Sequence, residues 1–183
     1  MAIPQERVTV TSAYNPAQAA GYGAVAGIMG GIVFGLMMTV LIPPALPMIG
    51  KIIGMPSLGG GWLYHLFNSA VIGAVFGLAL GRVVTTYAMG ALWGAVYGFV
   101  WWSLGSLVRL PLLLCMSDKL FKTDDTPPLN ITGHVVFGIV TGLLYVALTD
   151  RMTAAAAPCV PRVRQTGVSA AQRLFRHGCD PAA

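Results

Sequence analysis

Charge is what this chain has least of. Only 9% of its 183 residues are Asp, Glu, Lys or Arg, and just six are acidic, where an average soluble domain carries roughly 25%. So few charges cannot cover a water-soluble fold of this length, and an ordinary globular domain is excluded. Cysteine is scarce as well: Cys115, Cys159 and Cys179 form no CxxC pair and lie far apart, which argues against a zinc site or a disulfide framework. No phosphate-cradling loop, nucleophile beside a base, or pair of carboxylates occurs, so neither an enzyme nor a resident metal is expected. Nothing marks a nucleic-acid partner. The nine methionines lack the close repeated spacing of a copper(I) site and read as gap fillers between helices.

Apolar residues take up the remainder, 56% of the chain, with a mean hydropathy of +0.73. Four stretches, Ala20 to Leu41, Trp62 to Gly81, Tyr87 to Val108 and Ile131 to Thr149, are long enough to cross a hydrocarbon core about 30 Å thick. Residues 1–19 form a polar segment without the charged region and cleavage site of a secretory signal, so the first span reads as uncleaved. The lipid bilayer is therefore the first expected partner, and the expected fold is all-α, an integral membrane four-helix bundle.

The chain also repeats itself. Gly23, Gly27, Gly31 and Pro44 recur 67 residues later as Gly90, Gly94, Gly98 and Pro111, while His65, Gly73 and Arg82 recur 69 residues later as His134, Gly142 and Arg151. Repeat 1 covers about 20–82 and repeat 2 about 87–151. Each holds two spans, so both copies enter the membrane in the same direction, as parallel-repeat hairpins about an axis along the membrane normal. The short turn around Arg82 to Thr86 predicts that spans two and three are antiparallel neighbours. Pro43, Pro44 and Pro47 are expected to end the first helix and Pro111 the third. The segments after these prolines, Ala45 to Met55 and Leu112 to Phe121, are too short to span and predict interfacial pieces.

Small residues mark the packing faces. Gly23, Gly27, Gly31 and Gly35 recur every four residues in the first span and Gly90, Gly94 and Gly98 in the third, with Gly73 and Gly77 in the second and Gly138 and Gly142 in the fourth. Such a stripe lies on one helix face. In a bilayer, helices associate by close backbone approach, so these glycines predict helix–helix contact, a glycine zipper.

The candidate ligand-binding residues are His65, His134, Asn68 and Arg109. The repeat makes His65 and His134 equivalent and puts them at one depth, where they could ligate a haem iron or the magnesium of a chlorophyll-type pigment, or donate to backbone carbonyls. Asn68 is an amide inside a span, where polar groups are costly. Arg109 ends the third span and is expected to snorkel outward. Trp62 and Tyr64 read as interface anchors.

Seven of the eleven basic residues fall with the N-terminus, the Gly81 to Tyr87 turn and the tail, which predicts both termini in the cytoplasm. Residues 152–183 form a basic, Ala- and Pro-containing tail in which 169–177 could make a short helix against anionic lipid.

The succession VLIPPALPMIGKIIGMP, WLYHLFNSAVIGAVFG, GALWGAVYGFVWWSLGSLVRLP and GHVVFGIVTGLLY resembles a family of small four-span membrane proteins of unknown function, and is distantly similar to the YagU type of bacterial inner-membrane protein. The resemblance covers about Gly21 to Arg151. It implies the fold and a prokaryotic inner membrane, and no catalytic residue. The expected function is a non-enzymatic accessory or scaffolding subunit of a larger membrane complex, such as a bioenergetic one, in contact with other subunits or itself. A small channel or carrier is the alternative, and a haem- or pigment-binding protein the second.

Overall fold

The computed structural model describes residues 15–122 and 128–156. Its helices are α1 (Pro16–Leu41), α2 (Ala45–Gly50), α3 (Leu58–Leu80), α4 (Tyr87–Leu113) and α5 (Pro128–Ala156). All but α2 are long and apolar enough to cross a membrane. The first fourteen residues, Asp124, Asp125, Cys159, Cys179 and the tail helix expected at 169–177 lie outside the described residues.

Capping residues set the helix starts, and they extend the expected spans. Asn15 accepts from the backbone N–H groups of Ala17 and Gln18 at 3.0 and 3.3 Å ahead of Pro16, so α1 begins before Ala20. Ser57 accepts from Gly60 N–H at 3.1 Å and starts α3 ahead of Trp62, while Thr86 caps α4 through Met89 N–H. Each oxygen satisfies a donor that the first turn leaves without a partner. After α1, α2 and a 3₁₀ turn at Lys51–Ile53 fold back on α3, with Leu46 fully buried.

The third span departs from expectation. Pro111 does not end it: the helix runs on to Leu113 through a π turn at Gly105–Arg109. Proline has no N–H to give the carbonyl four residues back, and that carbonyl, on Leu107, instead accepts from Phe121 N–H at 3.1 Å. Phe121 adopts a left-handed φ of 56° to reach it. Leu112 and Leu113 therefore belong to α4, and the expected second interfacial piece reduces to a 3₁₀ turn at Ser117–Lys119.

Packing is governed by glycine. α1 lies along α3, and α4 along α5. A Cβ added at Gly27 would stand 2.7 Å from Gly73 Cα, one at Gly94 2.8 Å from the Gly138 carbonyl carbon, and one at Gly90 3.0 Å from that of Gly142. Gly23 closes on Gly73 and Gly77, Gly31 on Ser69, Gly77 on Ala19, and Gly98 on the His134 backbone, while Gly35 sits under the Trp62 ring. α1 also packs along α5. There Gly30 meets Phe137 and Thr141, and Gly133 meets Phe34.

α3 and α4 behave differently. Although a short turn joins them, their backbones make almost no close approach, and these neighbours meet instead through side chains. Offsets within the sequence suggest the cause. Gly30 and Gly133, the small residues of the α1–α5 seam, correspond at offsets of 67 and 69 to Tyr97 and Tyr64 on the α4–α3 side. Two glycines let one pair of helices close; two tyrosines hold the other apart.

Because the atoms facing Gly27 and Gly94 are backbone, they cannot give way to a larger side chain. Gly27→Val and Gly94→Val should each lower the unfolding temperature in detergent, by the equivalent of about 1–3 kcal/mol. Gly21→Ala, with nothing within 4 Å of the added carbon, should leave it unchanged or raise it. A Gly27→Val protein that melts with the parent would refute the close contact.

Candidate functional site

Between α3 and α4, roofed by α2 and floored by α1 and α5, lies a cleft of about 100 Å³. One water needs about 10–15 Å³ of such space, so the cleft holds a group of several heavy atoms. His65, Asn68, Arg109 and His134 all line it. The chain thus brings together every ligand candidate of the sequence, from three different helices.

The two histidines are held apart and are already engaged. His65, buried on α3, donates from Nε2 to the Gly31 carbonyl of α1 at 2.9 Å. His134 donates from Nδ1 to the carbonyl of Asn130, one turn back on its own helix, at 2.8 Å. Between them stands the Phe34 ring, edge-on to both, with centroids 5.5 Å from His65 and 4.7 Å from His134. Each hydrogen bond fixes one ring nitrogen as N–H and leaves the other, Nδ1 of His65 and Nε2 of His134, with a lone pair, and the Phe34 ring packs against both imidazoles where a shared iron would need room. Among the described residues no three His, Cys, Asp or Glu side chains gather.

Arg109 is exposed, yet its head group is tied to a neighbouring helix. Its guanidinium reaches across the cleft mouth to α3, donating from Nη1 to Asn68 Oδ1 and from Nη2 to Tyr64 Oη, both at 2.5 Å. It also lies over the Tyr64 ring, 5.6 Å from the centroid, a cation–π contact. The π turn is what aims it there. In an unbroken helix, eleven steps of about 100° from Gly98 would put Arg109 within about 20° of the glycine face against α5. A π turn holds one residue more than an α turn and sets the residues beyond it back by about 100°, onto the face of Tyr97 and Trp101. Tyr97 points at α3, donating to the Ile72 carbonyl at 2.6 Å with its ring edge-on to Phe76.

Some of the site was not foreseen. Tyr64, read as an interface anchor, is also a partner of Arg109, and Trp62 also packs on Gly35. Asn130 accepts from Ser106 Oγ at 2.9 Å and thereby ties α5 to the π turn. Phe34 is the central missed residue. Its only sequence signal was its place in an apolar span, where it looks like any lipid-facing ring.

This geometry is open to three measurements. In Pro111→Ala the restored N–H should close the π turn and swing Arg109 toward α5. A cysteine pair at positions 64 and 109 joined by a bifunctional thiol reagent in the parent background should then fail to join, and undiminished cross-linking would sink the π-turn account. Phe34→Ala should cost about 3–5 kcal/mol of stability, the usual loss for a buried phenylalanine; a parental melting curve would show the ring is not packed as described. Haemin added to the purified chain should give no low-spin bis-histidine spectrum, and one abolished by His65→Ala would overturn the geometry. Comparison with known proteins adds no relative: no protein-family model matches the chain, and no curated protein and no solved structure shows significant similarity to it.

Proposed function

We propose that this chain is a non-enzymatic multi-pass membrane protein whose working part is the α3–α4 cleft, a binding protein or carrier for a small ligand. The carrying observation is the gathering of Arg109, Asn68, Asn130, Ser106 and the two histidines around one cavity. Polar and charged groups are expensive within a membrane and tend to mark ligand paths there. The prokaryotic inner membrane, with both termini cytoplasmic, is the proposed setting; the bias of basic residues and the resemblance to small four-span proteins support it.

Trp101 lines the cleft and supplies a reporter. In the reconstituted full chain, at least one ligand class should change tryptophan fluorescence saturably, and Trp101→Phe should remove most of that change. Anionic, cationic and neutral solutes that all leave the signal flat would defeat the reading.

A second reading, an accessory subunit, draws on a separate observation. Only 17% of the apolar window of α4 is buried, against 33–39% for the other three long helices. Leu92, Trp93, Val96, Phe99 and Val100 form much of the uncovered surface. A partner subunit, or a second copy, would cover them. Mild-detergent extraction should then yield a particle heavier than one chain; a lone monomer would remove this reading and leave the cleft untouched.

A further inference from the structure

The hydrogen bonds at the cleft mouth use up acceptors and leave donors. Asn68 Oδ1 and Tyr64 Oη both accept from Arg109, so Asn68 is left with its amide nitrogen and Tyr64 with its own hydroxyl proton to donate. Asn130 Oδ1 accepts from Ser106, which turns its amide nitrogen into the remaining donor end as well. Arginine has five N–H donors and no acceptor. Two neutral groups orient its guanidinium but do not neutralise it, and among the described residues no carboxylate pairs with it. Arg109 is exposed at the cleft mouth, where its remaining N–H donors and its charge are open to an anion.

A lateral way in would lie between two straps. Arg109 bridges α3 and α4 at Asn68, and Tyr97 bridges them again at Ile72. Between these two straps α3 advances one turn, about 6 Å, whereas a helix with its side chains is about 10–12 Å across. A hydrocarbon chain fits such a slot; a partner's helix does not. Ile72, Trp101, Leu110 and Phe137 supply apolar walls behind it.

From this juxtaposition we infer that the cleft binds an anionic amphiphile: its carboxylate or phosphate head sits on Arg109, Asn68 and Tyr64, and its hydrocarbon chain passes between α3 and α4. This rests on the cleft being the working site and names its ligand class. The anion replaces nothing that holds the fold, since the glycine contacts lie on other faces. It supplies the charge that Asn68 and Tyr64 cannot.

Three probes separate head from chain when titrated onto the full-length protein in a neutral detergent, read by Trp101 fluorescence and native mass spectrometry: oleate, oleyl alcohol and acetate, with inorganic phosphate as a further free anion. Oleate should bind saturably, and the others at least about tenfold more weakly, a gap of about 1.4 kcal/mol. Arg109→Gln should weaken oleate by a similar factor. Asn68→Asp is the sharper variant, because it keeps arginine and gives it an internal carboxylate; it should weaken oleate equally while melting no lower than the parent. Acetate or phosphate binding as well as oleate would overturn the amphiphile and make this a free-anion site. Oleyl alcohol matching oleate, or Asn68→Asp binding like the parent, would overturn the role of charge while leaving a ligand cleft. Silence from every probe, in a protein whose Trp101 also answers no cationic or neutral solute, would take the cleft reading down too.

Discussion

Close backbone contact at glycine is the constraint on which the rest of the structure depends. Hydrocarbon tails solvate a leucine as well as a neighbouring helix does, so helices of this composition gain little in a bilayer from burying apolar side chains and associate through the approach that small residues permit. α1 meets α3 at Gly23, Gly27 and Gly73, and α4 meets α5 at Gly90, Gly94, Gly138 and Gly142. At these contacts the facing atoms are main chain, so the register of each pair is set to within a methyl group.

Where glycine runs out, the helices part. The α1–α5 seam closes over Gly30 and Gly133, whereas the residues at the matching offsets, Tyr97 and Tyr64, are among the largest in the chain. A repeated sequence has in this way been given one closed seam and one open one. The tyrosines do more than hold α3 and α4 apart. Tyr97 satisfies the Ile72 carbonyl and Tyr64 receives Arg109, so the opening is braced at both ends. The same substitution of large for small that costs packing creates the space for a site.

The π turn adds the charge to that space. Pro111 removes one donor from the ladder, the freed Leu107 carbonyl is taken by Phe121, and the extra residue turns Arg109 from the glycine face toward the cleft. Backbone chemistry at one residue thereby decides the electrostatics of a cavity formed by other helices. Phe34 joins the two histidines to the core: its ring packs against both His65 and His134.

Four long apolar helices are determined by the sequence alone, because hydropathy over some twenty residues and the capping chemistry of Asn15, Ser57 and Thr86 are local properties. The faces of the four-spaced glycines were legible for the same reason: a regular helix repeats every 3.6 residues, so spacing gives direction. That regularity is also why the hydrogen bonds of Arg109 to α3 were not legible. The expected outward arginine came from a helix ending at Pro111, and nothing in the local pattern announces a π turn whose completing bond comes from Phe121, far outside the span. The candidates His65, His134, Asn68 and Arg109 could be named from residue type, yet whether they converge depends on which helices touch and which stand apart. Only the tertiary structure decided that, since the Gly30–Thr141 and Gly133–Phe34 contacts, and the tyrosines that replace those glycines across the bundle, join residues too distant in the chain for any local periodicity to pair them.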